Sequence, residues 1–140
     1  MSQQKTAVIT WKGEELHFSG KLGSGYTFDA SSEAGPEHGG SPMEFLLAGV
    51  AGCTAVDVVH ILQKMRQELT GLEVEIRGTR ATEHPKVYTD VEIVYVLRGN
   101  NLDPQAVERA IALSEETYCS ASAMFKRSGT AVTTSYRLEA

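Results

Sequence analysis

The chain has 140 residues, 41 % of them hydrophobic and 22 % charged, the size and composition of a single domain spanning 1–140 with a core of its own. A formal charge of −5, with no run of Lys or Arg, excludes nucleic acid as a partner, because binding phosphates needs a clustered positive surface. No stretch of roughly eighteen uncharged apolar residues is present, which argues against a membrane span.

The N-terminal segment MSQQKTAVITWKGEEL lacks the apolar stretch of a signal peptide, so the expected location is the cytoplasm. Val8-Ile9-Thr10-Trp11 reads as a strand, Lys12-Gly13 as a turn, and Leu16 and Phe18 alternate with polar neighbours as a second strand. Gly23-Ser24-Gly25 makes another turn before Tyr26-Thr27-Phe28, and the polar loop SSEAGPEHGG follows. The segment SPMEFLLAGVAGCTAVDVV then opens a helix: Ser41 is its N-cap, Pro42 its first residue, and Glu44 completes a capping box. From Phe45 to Val56 the helix carries no charge, so it is expected to be buried on every side. Ala48, Gly49, Ala51 and Gly52 leave little bulk; an interior Gly costs about 1 kcal/mol relative to Ala, and close packing has to compensate. Charges return at Asp57, Lys64, Arg66 and Glu68, where the helix is expected to reach solvent.

Leu72, Val74 and Ile76, and then Val91, Ile93, Tyr95 and Leu97, alternate with polar residues as two strands, with His84-Pro85 in the connection. Asp103-Pro104 opens a second helix with Val107, Ala110, Ile111 and Ser114 on one face. YCSASAMF starts a third, short helix that Gly129 stops, and Ala131 to Leu138 closes the chain as a strand. The order strands, helix, strands, helices, strand is α+β, with sheets wrapped around a central helix.

Two residues stand out chemically, Cys53 and Cys119, sixty-six positions apart. A cysteine in the middle of an uncharged helix fits a core filler, a metal ligand or a protected nucleophile. Cys119 is placed to gain from a helix N-terminus, which favours the thiolate; Cys53 is not, and needs a cation from elsewhere. Cys53, Asp57 and His60 share a helical face, but three ligands on successive turns cannot close one tetrahedral shell, so no metal is expected. There is no nucleotide fingerprint and no serine-hydrolase elbow, so no cofactor is expected either. His17, His38, His60 and His84 are scattered and read as surface residues, and Trp11 and Tyr95 as core or interface aromatics.

SPMEFLLAGVAGCTAVDVVHILQK, followed about sixty residues later by YCSASAMF, resembles the OsmC/Ohr family of thiol-dependent hydroperoxide reductases, and within it the YhfA-like subgroup. The resemblance covers nearly the whole chain. It implies an intertwined homodimer with antiparallel sheets around long central helices, and an active site at the subunit interface. It also implies that Cys53 attacks an organic hydroperoxide, that Cys119 resolves the sulfenic acid as a disulfide, and that a dithiol, such as a lipoylated protein, restores the pair. Family peroxidases activate the thiolate with a Glu directly after the helix-opening Pro and an Arg from the N-terminal hairpin. Here Met43 follows Pro42, the acid comes one place later as Glu44, and the hairpin has no Arg. Lys12, with Lys21 as a second possibility, and Glu44 are the candidates to replace that pair, although Lys lacks the planar fork of Arg and Glu44 already has a capping role. Two readings follow: a peroxidase using Cys53 and Cys119, and a non-catalytic ligand-binding or redox-sensing member of the same fold.

Overall fold

The computed structural model describes residues 3–32 and 35–139, so Glu33 and Ala34 of the polar loop lie outside the described residues. The chain divides into two units, 1–46 and 47–140.

In the first unit, β1 (Ala7–Trp11), β2 (His17–Leu22) and β3 (Thr27–Ser31) form an antiparallel sheet in that order. The pairing runs from Ala7 opposite Leu22 to Trp11 opposite Phe18, and from His17 opposite Ser31 to Lys21 opposite Thr27. A 3-10 turn at Pro36–His38 leads towards the long helix. Gly39 that follows has φ +84°, and a Cβ there would run into the Asp29 carbonyl, so only Gly suits the position. His17 and His38 are not isolated as the sequence suggests: their rings stack with centroids 4.5 Å apart. The 3-10 turn returns the chain to the sheet at Ala30 and Gly40, which is what joins residues twenty-one positions apart.

Helix α1 (Pro42–Lys64) begins in the first unit and continues in the second. Its capping box forms as the sequence predicts. The Glu44 N–H donates to Ser41 Oγ at 3.3 Å, and the Ser41 N–H donates back to Glu44 Oε1 at 3.0 Å. Expected burial on every side is not met within one chain. Only the row Val50, Thr54, Val58 and Leu62, four residues apart, is buried, and Val56 on another face is 70 % exposed. Contrary to the sequence expectation, α1 is by length and composition alone able to cross a membrane, the one such helix among the described residues. The hydrogen bonds described below tie its middle to the rest of the second unit, as in a core helix.

In the second unit, β4 (Glu68–Arg80) pairs with β5 (Tyr88–Asn100), placing Val74 opposite Tyr95 and Ile76 opposite Ile93. β6 (Ala131–Glu139) joins the far side of β5, and this one pairing is parallel. A parallel neighbour needs a crossover, which α2 (Pro104–Leu113) and α3 (Ser120–Arg127) provide. As the middle strand, β5 buries Val91, Ile93, Tyr95, Val96 and Leu97 to 1 % exposure or less. Val107 and Ala110 of α2 complete this core, and Asp103 Oδ1 caps α2 by accepting from the Gln105 N–H at 3.0 Å.

Candidate functional site

Helix α1 supplies Cys53, Thr54 and Asp57. Cys53 and Asp57 are one turn apart on the same face, and Thr54 belongs to the buried row. The other half of the site comes from the end of α2, which widens into a π-helical turn, Ser114–Tyr118. There the Cys119 N–H donates to the Ser114 carbonyl five residues back at 2.7 Å. The turn leaves Cys119 extended as the N-cap of α3, its Sγ accepting from the Ser122 N–H at 3.4 Å.

This brings the two cysteines together. The sulfurs of Cys53 and Cys119 and a carboxylate oxygen of Asp57 all lie within 4.8 Å of one another, and both cysteines are free thiols. Cys53 is partly exposed and Cys119 buried. Burial, first, and then the neighbouring Cys53 thiol and the Glu115 charge push the Cys119 thiol up to about 12, against a smaller opposing effect of the Ser122 N–H. The expected gain from a helix N-terminus is thus real in geometry but outweighed by desolvation.

Behind the sulfurs runs a chain of polar groups. Ser114 Oγ donates to Asp57 Oδ2 at 2.9 Å. Thr54 Oγ1 stands 2.8 Å from Ser114 Oγ and 2.7 Å from the Tyr95 hydroxyl, which reaches Glu115 Oε2 at 3.3 Å. Ser122 Oγ donates to Glu115 Oε1 at 2.8 Å, and Lys126 Nζ pairs with the same carboxylate at 3.4 Å. Thr54, Tyr95, Ser114 and Ser122 have no exposed surface. Burial also raises the Tyr95 phenol above its usual value, which keeps it a hydrogen-bond donor.

Lys12 and Glu44 have partners in the first unit. Lys12 Nζ forms an ion pair with Asp29 at 2.8 Å. The Ser41 N–H and hydroxyl hold the Glu44 carboxylate below its ordinary value. Of the i, i+4, i+7 triad, Asp57 joins Cys53, whereas His60 is exposed and is not part of the cluster. Asp57 is therefore not a solvent edge: Ser114 and the second cysteine meet it there. Two thiols and one carboxylate are three of the four protein ligands of a closed zinc shell, and no fourth joins them among the described residues. Glu115, Ser122 and Lys126 were not singled out by sequence. Only the CTAVD spacing on a helix hinted at Asp57, because the π turn that assembles the others has no pattern of its own.

The comparisons with known proteins agree on one family. A family model described as OsmC-like protein matches residues 35–135. The protein YhfA of Escherichia coli strain K12 is 37 % identical over 121 residues, 86 % of this chain and 89 % of YhfA. A crystal structure of a hypothetical protein from Aquifex aeolicus is 34 % identical with a TM-score of 0.83, covering 99 % of this chain and 100 % of that one. The organic hydroperoxide resistance protein OhrB of Bacillus subtilis shares the fold at 16 % identity, with a TM-score of 0.63 over 96 % of this chain and 98 % of OhrB. A match over most of the chain, spanning both Cys53 and Cys119, places it by descent as well as by shape: the chain belongs to the OsmC family and is a homologue of YhfA.

Proposed function

We propose that the protein reduces organic hydroperoxides with the pair Cys53 and Cys119, as a cytoplasmic homodimer recharged by a dithiol such as a lipoylated protein. The observation that carries this reading is the approach of two free thiols from distant parts of the chain to within 4.8 Å. A chance pair of inert core cysteines has no need to meet beside a carboxylate. Cys53, the more accessible thiol, attacks the terminal peroxide oxygen; the O–O bond breaks, the alcohol leaves and Cys53 becomes a sulfenic acid. Cys119 then displaces water to give the disulfide, and a modest side-chain rotation brings the sulfurs to the bonding distance of about 2 Å. Lys12 and Glu44 remain the nearest counterparts of the family's activating pair; the hydrogen bonds of Glu44 account for it as a helix cap.

The test is intact mass and free-thiol count of the reduced protein after one equivalent of cumene hydroperoxide. Rapid loss of both thiols with a decrease of about 2 Da, abolished in Cys53→Ser, is the expected result. Thiols that persist for many minutes would sink the peroxidase reading. They would favour a sensing or ligand-binding member of the fold, which the high value of the Cys119 thiol also suits.

A further inference from the structure

We propose that Asp57 is the proton acceptor of the cysteine pair and that the hydroxyls of Ser114, Thr54 and Tyr95 connect it to Glu115 as a proton relay. The proposal rests on the redox reading of the pair given above and assigns the group that manages its protons.

The first support is position. Asp57 is the carboxylate within 4.8 Å of both sulfurs, a span closed by one water molecule or a small rotation. The second is a count of hydrogens. The chain Asp57–Ser114–Thr54–Tyr95–Glu115 has four oxygen–oxygen contacts and three hydroxyl groups. Ser114 donates to Asp57 and Tyr95 to Glu115, so Thr54 has one hydrogen for two neighbours at 2.8 and 2.7 Å. With both carboxylates ionised, one of the two contacts among the buried hydroxyls lacks a hydrogen, an arrangement that costs free energy. One added proton supplies all four contacts, whichever carboxyl group receives it. If it enters at Asp57, a concerted shift of one proton across each of the four contacts delivers it to Glu115, whose side chain is 7 % exposed and paired with Lys126. The chain thus has a place for one more proton, and that place opens beside the thiols.

The step that needs it is resolution. Cys119 is buried, and its thiol keeps its proton up to about 12, so attack on an oxidised Cys53 requires a base. With a sulfenic acid on Cys53, the Cys119 sulfur forms the S–S bond and the S–O bond breaks. The thiol proton goes to Asp57 and returns to the departing hydroxide as water. With a mixed disulfide on Cys53 the balance is simpler: S–S bond for S–S bond, one thiolate leaving, and the proton kept by the relay.

The second form gives a test that uses no hydroperoxide. The reduced protein is mixed with the aromatic disulfide dithionitrobenzoate, and release of the coloured thiol is followed by stopped flow. The first phase reports modification of Cys53 and the second reports attack by Cys119. Asp57→Asn is expected to slow the second phase about a hundredfold relative to the first. Thr54→Val, which keeps the shape and removes the central hydroxyl, is expected to slow the second phase about tenfold. Formate is expected to restore the second phase of Asp57→Gly in proportion to its concentration, which a merely structural role for Asp57 does not predict. An unchanged second phase in Asp57→Asn, or no response of Asp57→Gly to formate, overturns the acceptor; an unchanged second phase in Thr54→Val overturns the relay. Should the Asp57 variants fail to fold, the wild-type second phase decides, since no slowing in heavy water overturns the proposal. A normal two-phase release from a protein inert to cumene hydroperoxide would reject the peroxidase reading and leave the role of Asp57 standing.

Discussion

At the scale of single residues, the Cys119 thiol makes a prediction about stability. Its ordinary value is 9.0 and the fold pushes it up to about 12, chiefly through burial. A group whose folded value is raised contributes stability that is complete below the unfolded value and lost as pH rises through the folded one. Between pH 9.0 and about 12 the folded protein holds a proton that the unfolded chain releases, so stability falls with rising pH there. Denaturant titrations across this range are expected to show a shallower decline for Cys119→Ser than for the wild type; equal slopes would mean that Cys119 is not desolvated. Glu44 makes the opposite case. Its value is lowered by the hydrogen bonds from Ser41, so its contribution is present above the ordinary value of 4.5 and disappears as pH falls through the lower, folded one. Glu44→Gln keeps a capping-box partner without the charge, and is expected to leave neutral-pH stability and the rate of thiol oxidation nearly unchanged. A large fall in the oxidation rate would return Glu44 to the catalytic role that the family's Glu has.

At the scale of elements, legibility in the sequence follows the range of the interaction. The capping box at Ser41 and Glu44 and the Asp103 cap depend on residues two or three apart, and both were readable. The alternation of Val91, Ile93 and Tyr95 was readable too, because a pleated strand has a period of two. The burial of Val96 on the other face was not, since it depends on β5 lying between β4 and β6. The π turn at Ser114–Tyr118 was not readable either: its stability depends on contacts made elsewhere, and without it Glu115 and Cys119 would not face the same partners. Asp57 looked like the start of a solvated end because charge on a helix usually means exposure, and only the fold reveals Ser114 beside it. The buried row of α1 can be tested directly. Leu62 is fully buried, and Leu62→Ala is expected to destabilise by about 3 kcal/mol through lost transfer energy and the cavity left behind. Thermal or chemical unfolding checks this; a loss below about 1 kcal/mol would mean that the end of α1 is not packed as described.

At the scale of the whole molecule, the apolar surface of a single chain is where the proposed homodimer can be tested. In the first unit Ile9, Leu16, Leu22, Tyr26 and Phe45 line an open apolar cavity of about 770 Å³. In the second, Val56 is 70 % exposed, and Gly49 and Gly52, seven and four positions away on the same side of α1, are exposed as well. A Cβ at either glycine would meet nothing within 4 Å in this chain. Two glycines inside a helix cost about 1 kcal/mol each relative to Ala and gain nothing from their own chain; in the proposed homodimer a close backbone from a second copy would account for them. A two-fold interface repeats each contact, so one substitution acts twice. If the second copy packs there, Gly52→Leu introduces overpacking of about 1–3 kcal/mol at each of two related sites. Each 1.4 kcal/mol is about tenfold in dissociation constant, so sedimentation equilibrium is expected to move from dimer towards monomer. If this face is open in solution instead, the same substitution removes a helix-weakening glycine and leaves assembly alone. The protein would then unfold at a higher denaturant concentration with its mass in solution unchanged, and the small residues of α1 would need another explanation.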